Sequence, residues 1–232
     1  MYLLTETASP FALERWAAFF ANFGQFAKGF FYTLGISIGA LIVALLLGLI
    51  FGAMSSTHNK VLRGISRVYV EIFQNTPLFV QFVVVFYGIS ILTDGHSMIP
   101  SSLTAILCVG VYTGAYISEI IRTGIEAVPK GQTEAALSQG FTYADTMRII
   151  ILPQAVRTIL PPLTNQVVNL IKNTSTVAII SGADIMFTAK AWAYDTTNYV
   201  PAFAGAAFLY FIMCFPLATW ARRKEEENKK AY

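Results

Sequence analysis

Charge is what this sequence has least of. Only 12% of its 232 residues are Asp, Glu, Lys or Arg, against 55% hydrophobic. So few ionic groups cannot clothe a water-soluble globule of this size, and a mean hydropathy of +0.58 belongs to a membrane protein of one domain, residues 1–232. The formal net charge is a slight +3, so nucleic acid is not a natural partner. Cysteine is nearly missing as well. Cys108 and Cys214 fall in apolar runs, where thiols fill space rather than pair or ligate. The two histidines, His58 and His96, are isolated and lack ligand spacing, so structural roles are expected and no metal site. No basic start precedes an apolar core, so a cleavable signal is not expected. There is no Gly-x-x-x-x-Gly-Lys-Ser/Thr phosphate loop, no internal repeat, and no nucleophile, base and orienting group within reach of one another. The chain is therefore not expected to be an enzyme by itself, nor to bind a cofactor.

What is present is a series of long apolar runs. Residues 1–27 are amphipathic, with Trp16, Phe19, Phe20, Phe23 and Phe26 at helical spacing, which suits the headgroup layer. Residues 29–57 carry no charge and exceed the ~20 residues that cross a bilayer core. Gly35 and Gly39, then Gly48 and Gly52, offer small-residue faces for close helix approach. A basic loop with His58, Lys60, Arg63 and Arg67 leads to a second span, 72–92. Pro77 near its start frees a carbonyl for Asn75 or Thr76 to satisfy. After a polar turn from Asp94 to Pro100 comes a third span, 99–118, closed by Glu119 and Arg122, which are placed to pair. A fourth, 158–180, has Pro161 and Pro162 as expected breaks and passes through Lys172. A polar loop, 182–198, with Trp192 and Tyr194 precedes the fifth span, 199–221. A basic tail follows with Arg222, Arg223, Lys224, Lys229 and Lys230.

Placing the N-terminus outside puts twelve of the sixteen Lys and Arg in the inner segments 58–67, 122–157 and 222–232. The positive-inside rule then gives an all-α protein of five transmembrane helices with a cytosolic C-terminus.

Between the third and fourth spans, residues 123–153 are polar. Glu134-Ala135-Ala136 is expected to open a short helix after Pro129 and Gly131 end the one before, and Gly140 stands where a left-handed C′ residue belongs. The paired alanines would leave one face bare enough to enter a partner's groove; an ordinary cytosolic turn is the plainer reading. Glu134-Ala135-Ala136, Gly140 and the later Ile151-Leu152-Pro153 resemble the coupling loop of ABC-importer permeases. Glu71-Ile72-Phe73-Gln74-Asn75-Thr76-Pro77-Leu78 and Lys172-Asn173-Thr174-Ser175 are similar to the polar amino-acid branch of that family, from about residue 24 onward. Gln74-Asn75, Ser138-Gln139 and Thr176 depart from its usual wording.

The fourth segment carries a polar stripe. Asn165, Asn169, Lys172, Asn173 and Thr176 fall at offsets 0, 4, 7, 8 and 11, one helix face. An ammonium at mid-membrane costs roughly 2.5–3.5 kcal/mol, so Lys172 must face protein or water. With the family-like Thr174 and Ser175, and with Gln81, Tyr87, Thr113 and Tyr116 from earlier spans, this stripe is the expected substrate path. Glue between helices or subunits is the alternative.

The resemblance implies a type I importer fold in a bacterial plasma membrane and a polar amino acid as solute. Gln139-Gly140-Phe141-Thr142-Tyr143 is similar to glutamine or glutamate permeases. It also implies a second permease copy or close relative, an external substrate-binding protein, and two cytosolic ATP-binding subunits that hold ATP and Mg. An ion-coupled secondary transporter or channel, or a membrane anchor, are the other classes. The first would need a repeat or an intramembrane acidic site.

Overall fold

Helix α1 (Leu13–Ala21) runs almost without pause into α2 (Phe23–Ser55). The computed structural model describes residues 9–92 and 99–230, and every regular element among them is helical. The aromatic N-terminal segment only partly suits a headgroup layer. Phe20 and Phe23 are exposed, but Phe19 and Phe26 are buried and meet Trp192 edge-on at ring-centroid distances of 6.0 and 5.7 Å. Arg15 donates to the Thr197 carbonyl and Asn198 Oδ1 at 2.9 and 3.0 Å, tying α1 to the far end of the chain.

The expected basic loop is instead the start of an amphipathic helix, α3 (Lys60–Gln74), because Asn59 accepts from the N–H groups of Val61 and Leu62 and caps it. Helix α4 (Leu78–Leu92) follows at 96° to α3. The expected span 72–92 is therefore not straight. Pro77 has no N–H for the Phe73 carbonyl, and the Gln81 amide donates there instead at 3.2 Å. Asn75 and Thr76, cast for that task, bond the Glu71 and Ile72 carbonyls, each at 2.8 Å.

Residues 93–98, which include Asp94 and His96, lie outside the described residues. Helix α5 (Ser101–Glu126) outruns the expected end at 118 by two turns, stabilised there by Arg122 bonding both Glu119 and Glu126. Its packing on α2 is the most extensive helix contact among the described residues, and it is close. A Cβ at Gly48 would stand 2.4 Å from Ile117, one at Gly52 2.8 Å from Ile121, and one at Gly110 2.7 Å from Val43. Within lipid, water exclusion does not press helices together, so this close van der Waals seam does the holding. Gly35 is exposed and takes no part in the seam.

The loop 123–153 holds α6 (Lys130–Ser138), α7 (Tyr143–Asp145) and a π-helical turn, Thr146–Ile151. Helix α8 (Leu152–Asn173) passes straight through Pro161 and Pro162, against the expected break. The residues four positions before these prolines, Arg157 and Thr158, are exposed, so the N–H groups the prolines lack are not missed in the core. A 3₁₀ segment, Thr174–Ile180, follows. The expected polar loop 182–198 is mostly helix: α9 (Ile185–Thr196), with Ile185, Ala189, Trp192 and Ala193 buried on one face. Helix α10 (Tyr199–Lys230) closes the chain, with Arg222 and Arg223 exposed. The side chains of Lys224, Lys229 and Lys230 lie outside the described residues.

Two buried clusters result. One gathers Phe19, Phe26, Ile185, Trp192 and Leu209, and the other Ala40, Phe82, Val109, Ile117 and Val177. Cys108 and Cys214 are both buried and free. By length and composition α2, α5 and residues 199–223 of α10 can each cross a membrane, which makes three candidate crossings among the described residues, or four where the bent α3–α4 pair counts as one span.

Candidate functional site

Two regions carry the residues singled out above. In the first, α6 opens at Lys130 behind Pro129, so Gly131 lies within the helix and Glu134 at its middle rather than its start. Proline suits the helix entrance because the N–H it lacks would have no partner there. At the other end Gly140 takes φ +88°. Its N–H donates to the Leu137 carbonyl at 3.0 Å, and that of Phe141 to the Ala136 carbonyl at 3.2 Å. These are the two bonds of a Schellman stop, which needs a left-handed C′ residue.

The two alanines do not share a bare face. Ala136 is buried, against the π turn behind it, whereas Glu134, Ala135 and Leu137 are exposed. The outward surface of α6 is therefore Glu134–Ala135 with Leu137, on a short helix buried along one line only. The π turn marks the junction to α8. Leu152 donates to the Met147 carbonyl five residues back, directly before Pro153, which has no N–H to continue the four-residue ladder. Gln154 covers the Ile150 carbonyl at 2.8 Å. Pro153 itself is exposed at the second position of α8.

The second region is α8 and the 3₁₀ segment. Asn165, Asn169 and Lys172 are exposed and Asn173 is half-buried. Asn169 donates to Gln166 Oε1 at 3.2 Å. Among the described residues no carboxylate pairs with Lys172. The change to three residues per turn after Asn173 sets Thr176 above Asn173, because i and i+3 eclipse in a 3₁₀ helix. Thr174 and Ser175 turn their hydroxyls back to the Ile171 and Lys172 carbonyls at 2.6 and 2.8 Å, and Thr174 is buried. The stripe thus stays continuous from Asn165 to Thr176, exposed at Asn165, Asn169 and Lys172 and half-buried at Asn173 and Thr176.

The 3₁₀ segment packs against α4 and α5, the helices bearing the remaining candidates. Gln81 uses its amide at the bend, reaching Phe73, the Thr76 carbonyl and Thr76 Oγ1. Tyr87 is exposed. The hydroxyls of Tyr112 and Tyr116 lie 3.1 Å apart. Thr113 is 1% exposed, and its hydroxyl has no partner among the described residues.

Sequence reasoning missed what fixes the start of α9. Asp184, fully buried, accepts from the Met186 and Phe187 N–H groups at 3.1 Å each and from the Tyr210 hydroxyl at 3.3 Å. Thr33 of α2 accepts from the Ile185 N–H at 3.1 Å. One buried polar knot so joins α2, α9 and α10 just behind the end of the stripe. An aspartate before apolar residues at offsets 0, 4, 7 and 8 was the available signal.

The family profile described as binding-protein-dependent transport system inner membrane component matches residues 44–225. The probable glutamine ABC transporter permease protein GlnM of Bacillus subtilis is 36% identical over 216 residues, 92% of this chain and 97% of that protein. The glutamate/aspartate import permease protein GltJ of Escherichia coli K12 is 34% identical over 208 residues, 82% and 85% of the two chains. Among solved structures, an amino acid ABC transporter crystallised with histidines superposes with a TM-score of 0.84 at 30% identity, covering 91% of this chain and 98% of that one.

Proposed function

The chain belongs to the family of inner membrane components of binding-protein-dependent transport systems and is an amino-acid ABC importer permease, and from that premise we propose how it moves its solute. The solute is a polar amino acid, glutamine or glutamate first, because the relatives GlnM and GltJ carry those names. Five crossings carry it: α2, the bent α3–α4 pair, α5, α8 with its 3₁₀ extension, and α10. The excess of Lys and Arg in segments 58–67, 122–157 and 222–232 supports an outer N-terminus and a cytosolic C-terminus.

A second permease copy or close relative covers the α8 stripe, and the path runs between the two. Amides and hydroxyls there bond both ends of a zwitterion, with Lys172 near the carboxylate. Two ATP-binding subunits, which hold ATP and Mg, dock on the outward surface of α6, and an external binding protein delivers the solute. Closure of the ATPase pair pushes α6, and the π turn beside Pro153 passes that push to α8.

One observation carries this reading. The same chain presents an exposed α6 surface and an exposed polar face on α8, and past the stop at Gly140 it runs as unbroken helix from Tyr143 through the π turn to Asn173. The test is uptake into proteoliposomes that hold the permease with its partner subunits. Uptake is expected to need ATP on the α6 side and to survive collapse of proton and sodium gradients. Uptake that follows an imposed ion gradient without an ATPase would favour an ion-coupled carrier or channel instead.

A further inference from the structure

A cavity rich in charged residues lies away from the α8 stripe. It has a volume of about 1060 Å³ and is walled by the end of α2, by α3, and by the last turn of α5 beside α6. Five cations face it: Lys60, Arg63, Arg67, Arg122 and Lys130. The three acids in the wall are already committed, Glu71 to Arg67 at 3.6 Å and Glu119 and Glu126 to Arg122. Lys60, Arg63 and Lys130 are exposed and have no acidic partner among the described residues. Three uncompensated cations around one hollow call for an anion.

Helix α3 says which anion. Its residues fall into three stripes. Ser66 and Tyr69 are buried, bonding the Phe51 and Val111 carbonyls at 2.7 Å each. Lys60, Arg63, Arg67 and Glu71 face the cavity. Val61, Ile65, Val68 and Ile72, at offsets 0, 4, 7 and 11, are at least half exposed and form a face that suits acyl chains rather than water. A helix with an open apolar stripe beside a basic one suits the boundary between acyl chains and headgroups. A small soluble anion would use the cations and leave the apolar stripe without purpose.

We propose that this cavity binds the headgroup of an anionic phospholipid from the leaflet on the α6 side, with its acyl chains along Val61, Ile65, Val68 and Ile72. Lys60 and Arg63 hold the phosphate, and Lys130, the first residue of α6, closes the site. Lipid composition would then act on the element that receives the ATPase. The site rests on the reading that places α6 in the cytosol.

The permease, purified in detergent with the subunits that accompany it, is titrated with phosphatidylglycerol, phosphatidylcholine or glycerol 3-phosphate, and adducts are counted by native mass spectrometry. Retention is read without uptake or hydrolysis, so an error about solute or energy source leaves the result untouched. Phosphatidylglycerol is expected to bind about ten-fold or more tightly than phosphatidylcholine, from the gain per basic residue near a charged leaflet. That preference should vanish in K60Q/R63Q and survive in K60R/R63K, while phosphatidylcholine retention stays equal in all three and so reports on folding. An unchanged preference in K60Q/R63Q overturns the site. Glycerol 3-phosphate binding as well as the lipid overturns it in favour of a soluble anion. Disulfide-linked dimers of R63C formed without lipid would show that a second copy covers the cavity.

Discussion

Asn169 and Asn173 decide between a path and a glued interface on α8. Both sit on the α8 stripe, Asn169 exposed and Asn173 half-buried, and Asn169 bonds Gln166, one turn away on the same helix. Replacing the exposed Asn169 with Leu spares this chain's own packing. Asn169→Leu and Asn173→Leu are expected to weaken apparent solute affinity by about ten- to a hundred-fold, the loss of one amide bond worth roughly 1–3 kcal/mol. Subunit composition on size exclusion should stay that of the wild type. Complexes that fall apart in detergent would make the stripe an adhesive surface. Asp184 behaves differently because its partners are internal. Asp184→Ala removes an N-cap and the carboxylate that accepts from the Tyr210 hydroxyl, a loss on the order of 2–3 kcal/mol. Asp184→Asn keeps an acceptor for the helix N–H groups and should lose about half as much. Thermal unfolding followed by fluorescence size exclusion measures both.

Elements differ in how openly the sequence announced them. Gly140 was legible because one residue type fits a left-handed stop, and the structure leaves nothing within 4 Å of a Cβ there. Substitution therefore acts through the backbone alone. Gly140→Val should strain the stop by about 1–2 kcal/mol and lower uptake, while Gly140→Asn, a residue that tolerates this region, should stay near wild type. Equal uptake by all three would remove the stop from the coupling route. The long apolar helices were equally plain, since α2 and α5 follow from uncharged runs and glycine spacing. What the sequence hid were helices whose apolar faces are short. The basic residues of α3 drew the eye from Val61, Ile65, Val68 and Ile72, and the polar residues of α9 masked the line from Ile185 to Trp192. Pro161 and Pro162 misled for another reason: whether a proline breaks a helix depends on whether water reaches the freed carbonyls, which burial decides and local sequence does not. Ala135 and Ala136 look alike in sequence, and only the fold against the π turn shows that one is inside and the other outside.

At the scale of the whole molecule, the exposed surface is of two kinds. Ile38, Ile42, Leu46 and Leu49 on α2 and Phe208, Phe211, Ile212 and Phe215 on α10 are exposed apolar side chains that suit lipid. The α8 face with Asn165, Asn169 and Lys172 does not suit lipid, and one chain alone leaves it open. An energy input at α6 and a polar path at α8 make sense only if the first drives the second. The most direct measurement of that link is Ala135→Trp in the assembled transporter, with ATP hydrolysis and solute uptake read from the same proteoliposomes. Because Ala135 is exposed and Ala136 is not, the indole disturbs the docking surface and spares the permease's own packing. Hydrolysis should continue while uptake per ATP falls about ten-fold or more, as expected from losing on the order of 1.4 kcal/mol of docking. Wild-type uptake per ATP in Ala135→Trp would contradict the account, for α6 would then not be where the ATPase engages this chain.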